Sequence, residues 1–178
     1  TACAPAPAPE SKIVIAYGVA PQTMDPQMHQ NTVTESVLRS MFDTLTVRGA
    51  DMKSLEPGLA LSWQQLSETT WQFKLRQGVK FHNGEEFNAE AVKFTFERAL
   101  NPDQKAPLRS LVSPIAKVEV VDAYTVNVTT AKPDPLLPSR FSGYATDIVP
   151  PKYVKEKGDQ YIAANPVGTG PYKFVSWV

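Results

Sequence analysis

Apolar positions along this chain recur at periods that predict its elements one after another. "KIVIAYG" (12–18) is apolar on both faces, the pattern of a strand buried within a sheet. "APQTMDPQ" breaks it with two prolines. In "TVTESVLRSMFDTLTV", Val33, Val37, Met41 and Leu45 recur every four residues beside Leu38 and Phe42, which predicts a helix starting at Thr32 to Thr34. "EPGLALSWQQLSETT" reads as a turn, a short apolar segment and a second turn. In "WQFKLR", Trp71, Phe73 and Leu75 alternate with Gln72, Lys74 and Arg76, the signature of a half-buried strand.

Asn83-Gly84 in "VKFHNGEEF" is the strongest turn signal, suited to a tight hairpin that needs positive φ. Asn88 is placed to cap "AEAVKFTFERAL", whose Val92, Phe96 and Ala99 make an inward stripe. "KVEVVDAYTVNVTT" predicts a second hairpin, with Val118 and Val120 answered by Val126 and Val128. "KPDPLLPSRF" and "PPKYVKEKGDQYIAANP" each predict a short helix. "PVGTGPYKFVSWV" is glycine-rich and then strand-like, and the chain stops inside that strand, which raises the expectation of a longer protein. Trp63, Trp71 and Trp177 sit in strand-like contexts and are expected in the core. Hairpins and helices alternating irregularly predict an α+β (mixed α/β) class.

Composition narrows what such a fold would do. Apolar residues make up 42% and charged residues 20% of the 178, the balance of a folded domain. Lys plus Arg and Asp plus Glu both number 18, so no global field would recruit nucleic acid, and no nucleic-acid partner is expected. No apolar run reaches the length of a membrane span. The one cysteine excludes an intramolecular disulfide and a thiolate cluster.

Candidate chemistry is sparse. The two histidines, His29 and His82, have no second His or Cys at ligand spacing, so no metal site is expected. No serine or threonine lies in a nucleophile elbow, and "GTGPY" lacks the Lys-Ser/Thr of a phosphate-binding loop. Glu85 and Glu86 are adjacent; on an extended strand they point to opposite faces and cannot flank one bond. No catalytic residue, enzyme activity or cofactor is therefore expected. A hydrolase using Glu85 or Glu86 with His82 stands as the competing enzyme reading. "TAC" followed by "APAPAPE" looks like the end of a bacterial lipoprotein signal, with Cys3 the lipidated residue and the Pro/Ala run an extended spacer. A stray cysteine in a disordered terminus is the alternative.

Read together, ordered blocks resemble one family: the solute-binding proteins of ABC importers, family 5, of the peptide, nickel and oligosaccharide class. The blocks are "MDPQ", "MFDTLTV", "LEPGLALSW", "TTWQFKLRQGVKFHNGEEFNAEAVKFTFERAL", "VVDAYTVNV", "IVPPKYV" and "NPVGTGPYKF", and they run from Lys12 to the C-terminus. The resemblance implies part of a two-lobed periplasmic-binding-protein-like fold, with a small sheet-and-helix subdomain and an incomplete main lobe. It divides the chain into an anchor and linker (1–11), the first strand and helix of the main lobe (12–45), a subsidiary subdomain (46–165) and a return strand (166–178). It also favours lipidation of Cys3.

The implied function is capture of an extracytoplasmic solute, a peptide in the first instance, for delivery to an ABC permease and its ATPase subunits. A membrane attachment through Cys3 goes with it. A nickel- or oligosaccharide-binding relative, or a stand-alone interaction module, are the alternatives. By the resemblance, Met28 to Thr32 matches the stretch that faces ligand in relatives, which nominates Gln30, Asn31 and Thr32, with His29 next. Arg109, after the central helix, would offer a carboxylate a bidentate partner. The second lobe, and with it most residues that grip a peptide, would lie outside this chain, so weak peptide binding and self-association are expected.

Overall fold

Asn88 opens the longest helix because its side-chain oxygen accepts from the backbone N–H of Glu90 and Ala91, satisfying donors that a helix start leaves free. The structure is a computed structural model that describes residues 13–177. Cys3, the rest of the expected anchor and linker (1–11) and Lys12 of the expected strand 12–18 lie outside the described residues. In chain order the elements are α1 (Thr32–Leu38), β1 (Thr46–Arg48), β2 (Leu55–Pro57), β3 (Ala60–Gln65), β4 (Thr70–Leu75), α2 (Ala89–Leu100), α3 (Arg109–Val112), β5 (Ile115–Asp122), β6 (Thr125–Thr130), α4 (Leu137–Arg140), α5 (Pro151–Lys157) and α6 (Asp159–Ile162).

Two antiparallel sheets form: a β1–β2 ribbon, and a four-stranded sheet in the order β3-β4-β6-β5. The valine pairing expected from the pattern is the observed register, Val118 opposite Val128 and Val120 opposite Val126. One face of this sheet is apolar because Phe73 and Leu75 on β4, and Val126 and Val128 on β6, all point the same way. Val92, Phe96 and Ala99 of α2, each fully buried, close onto that face. Phe141 completes the layer, its ring stacked on Phe96 at 4.6 Å between centroids and tilted against Phe73 at 5.2 Å.

A second apolar cluster joins Met24, Leu38, Met41 and Phe42 to Val149, Val154 and Ile162. Arg98 of α2 stitches the two clusters together. Its guanidinium contacts both carboxylate oxygens of buried Asp25, at 2.5 and 3.2 Å, then Gln27 Oε1 at 2.6 Å and Asp159 Oδ1 at 2.8 Å. Gln27 in turn donates to the Thr95 carbonyl. The "MDPQ" loop is thus a buried polar joint between the chain's start, α2 and α6.

The chain also departs from its periodicity. Ile13, Val14 and Ile15 are 79, 77 and 68% exposed and belong to no strand. An apolar run registers a demand for burial, whereas a strand needs a backbone partner, and 13–19 has none among the described residues. The segment 171–177 likewise forms no strand, and Trp177 is exposed rather than in the core. Trp63 and Trp71 pack against the main core. The "GTGPY" segment does dock: Gly170 N–H donates to the Met41 carbonyl and Tyr172 N–H to the Ser40 carbonyl. Gly168 is obligatory there, since a Cβ would stand 2.1 Å from the Met41 oxygen.

Candidate functional site

Asn31 fixes the start of α1, its Oδ1 accepting from Val33 and Thr34 N–H. Four residues apart on this helix, Glu35 and Arg39 lie on the same face, and Arg39 Nε donates to Glu35 Oε1 at 2.5 Å. Arg39 also reaches across to the Ser142 carbonyl, 2.8 Å away. This contact ties α1 to the loop after α4. Between them opens a cleft of about 470 Å³, lined among others by Glu35, Arg39, Arg48 of β1, Leu111 of α3, Arg140 and Tyr144. Arg140 is steadied by Asp134 at 2.7 Å, while Arg48 is engaged in no ion pair among the described residues. Three guanidinium groups and one carboxylate give the lining an excess of positive charge, alongside apolar Val47, Met52 and Leu111. That combination suits an anionic group carried on a small organic body.

The residues nominated from sequence divide around this cleft. Thr32 stands at its edge, with Tyr144 Oη 3.5 Å from its hydroxyl. Gln30 and Asn31 are exposed at the same helix start. His29 is buried beneath them, its ring edge-on to Tyr144 at 6.2 Å between centroids. Arg109 is elsewhere: its Nε donates to the Leu100 carbonyl at the end of α2, and its neighbour Leu111 reaches the cleft instead.

The opposing chemistry comes apart. Glu85 accepts from Lys152 and Tyr153 N–H at the start of α5, whereas Glu86 accepts from the Tyr124 hydroxyl. His82 is held by the Gly170 carbonyl and by Gly168 N–H, so it clamps "GTGPY" to the hairpin. No group of three metal-ligating side chains occurs among the described residues.

Sequence reading missed Glu35, Arg39, Arg48, Arg140, Tyr144 and Asp147. The i,i+4 acid–base pair on α1 was a visible signal; the rest depend on long-range packing. Asp147 is fully buried, and neither of its carboxylate oxygens has a hydrogen-bond partner among the described residues. Burial, reinforced by the negative charge of Glu35, pushes its carboxyl up to about 7. Glu35 goes the other way: burial would raise it, but neighbouring His29 and Arg39 outweigh that and hold it below its ordinary value. His29 Nε2 lies 3.2 Å from Glu35 Oε2 but is poorly aligned for a hydrogen bond.

Comparison with known proteins gives this geometry its context. The family model of bacterial extracellular solute-binding proteins, family 5, matches residues 54–178. The chain is 37% identical over 168 residues to a glutathione-binding protein of Salmonella typhi, covering 93% of this chain and 32% of that one. It is 36% identical over 165 residues to the glutathione-binding protein of Pectobacterium atrosepticum, at 92% and 32% coverage. Among solved structures it resembles a binding protein of A. tumefaciens in complex with agropinic acid, with TM-score 0.82 and 32% identity, covering 89% of this chain and 32% of that one. It also resembles Haemophilus influenzae OppA in complex with a peptide, with TM-score 0.83 and 28% identity at 90% and 35% coverage. The chain spans about a third of the length of these relatives.

Proposed function

The chain belongs to the bacterial extracellular solute-binding proteins of family 5, and from that premise we propose that it forms one wall of a site capturing a small carboxylate-bearing solute, of peptide type, outside the cytoplasm. The solute would be handed to an ABC permease and its ATPase subunits, with closure of a second lobe stabilised by contacts to both walls. The observation that carries this reading is the cleft of about 470 Å³ lined by Arg39, Arg48 and Arg140. Arginine forks match carboxylates in geometry and charge. The names of the relatives support the solute class, since one group binds glutathione and another structure holds agropinic acid.

No helix among the described residues is long and apolar enough to cross a membrane, so attachment, if by lipid, would rest on Cys3. With one wall alone, affinity for peptide is expected near the millimolar range, about 4 kcal/mol of binding free energy. The test is a two-dimensional NMR titration of the 178-residue chain with reduced glutathione, beside Arg48→Ala. Amide shifts confined to residues 30–32, 48 and 140–144, and weakened in the variant, are expected. Shifts clustered elsewhere, or none at tens of millimolar, would refute the reading.

A further inference from the structure

Five buried side-chain atoms beneath the cleft have no hydrogen-bond partner among the described residues: His29 Nδ1 and Nε2, Glu35 Oε2, and both carboxylate oxygens of Asp147, with His29 Nε2 and Glu35 Oε2 in contact at 3.2 Å. A folded chain pairs its buried polar atoms, and buried carboxylates most of all, because an unpaired charge in a low dielectric is costly. Here two carboxylates and an imidazole share a single permanent cation, Arg39, which itself faces the cleft. The charged groups that act on Asp147 are Glu35 and Arg39 of α1 and His29 of the loop before it.

We propose that His29, Glu35 and Asp147 form a buried proton-binding site beneath the cleft, and that an anionic solute entering the cleft draws one proton onto Asp147. This rests on the reading of the cleft as the solute site. Three features connect the two. Arg39 is common to both, with Nε on Glu35 and Nη2 on the Ser142 carbonyl. A solute carboxylate that shares this guanidinium adds a negative charge next to Glu35 and Asp147, and a proton taken from solvent onto Asp147 restores the balance with no other bond changed. The second feature is Ala145, which is buried with φ +63, a left-handed conformation unfavourable for a residue bearing a Cβ. It lies between Tyr144 on the cleft wall and Asp147 below. The third is Thr146, whose hydroxyl bonds to the Phe141 and Gly143 carbonyls and so holds this strained turn in place. Displacement of Tyr144 by solute is therefore transmitted to Asp147 by a short, pinned backbone. The raised titration of Asp147 agrees with a carboxyl poised to accept a proton near neutrality.

Linkage is reciprocal: if solute binding draws in a proton, acid strengthens solute binding. The experiment is the glutathione titration repeated at pH 6 and pH 8 on the wild-type chain and on Asp147→Asn, with the side-chain carboxyl carbons followed by NMR in the unliganded chain. Affinity about five- to tenfold tighter at pH 6, reduced to no pH dependence in Asp147→Asn, is expected from one linked proton. If Asp147→Asn does not fold, the wild-type carboxyl carbon decides alone, titrating near neutrality when free and higher with glutathione. Binding at the cleft with equal affinity at both pH values would overturn the proton site while leaving the solute reading intact. An Asp147 carboxyl that titrates near its ordinary 3.8 overturns it whether or not glutathione binds. No binding at either pH defeats the solute reading and the linkage with it.

Discussion

Arg98 and Asp25 are both almost wholly buried, so the loss of Arg98 leaves the charge of Asp25 without its cation. Arg98→Ala is expected to destabilise the chain by about 3–5 kcal/mol, read as a fall in the urea midpoint at constant m value. A drop below ~1 kcal/mol would mean that the joint is looser than its distances imply. At Asp147 the sign follows from the direction of its shift. Its folded carboxyl sits near 7 against an ordinary 3.8, so its contribution to stability is present below about 3.8 and is lost as pH rises through 7. Glu35 is opposite: held below its ordinary 4.5, it contributes above that value and loses its contribution as pH falls through its lowered folded value. Between 4.5 and 7 the Asp147 slope is therefore not opposed by that of Glu35. Thermal melts from that window up to pH 8 should show wild-type stability falling with pH, and Asp147→Asn flatter and more stable than wild type by up to roughly 4 kcal/mol at pH 8. Such residues were hard to read from sequence. An aspartate inside "GYATDIVPP" carries no mark of burial, and its neighbours Glu35 and His29 lie over a hundred positions away in the chain.

Elements were read best where their signals are local. The Asn88 cap, the Asn83-Gly84 turn and the valine register of β5 and β6 each depend on residues within a few positions of one another, and each is present in the fold. Of the Asn83-Gly84 pair, Gly84 takes positive φ, at +88, and the turn closes on a single bridge between Lys80 and Glu86 rather than on two long strands. Segments whose partners are distant were read less well. Residues 13–17 have the composition of a strand, but pairing is decided by what lies alongside, which periodicity does not encode. At this scale Asn88→Ala should cost about 1 kcal/mol in the same urea assay, because α2 carries the main core and its first turn loses two acceptor contacts. A change within ~0.3 kcal/mol would show that the core alone sets the helix start.

Taken whole, the molecule sets a well-packed sheet-and-helix core beside a cationic cleft, with apolar residues left in the open at 13–15, 175 and 177. Exposed apolar surface of this kind promotes association. Sedimentation of the 178-residue chain is expected to show concentration-dependent self-association that Ile13→Lys with Ile15→Lys reduces; a monomer at high concentration contradicts this. Of the residues nominated from sequence, Thr32 touches the cleft lining, through the Tyr144 hydroxyl, while Gln30 and Asn31 are exposed beside it. The guanidinium groups of the site were not legible in the sequence, because Arg39, Arg48 and Arg140 converge from three elements and only the tertiary fold brings them together. The central claim is that these groups recognise a carboxylate, and the most direct measurement compares reduced glutathione with its diethyl ester, titrated side by side and followed by amide shifts at 30–32, 48 and 140–144. The acid should shift these amides in a saturable way while the ester, matched in body but stripped of carboxylate charge, leaves them still; equal shifts from both would contradict the claim.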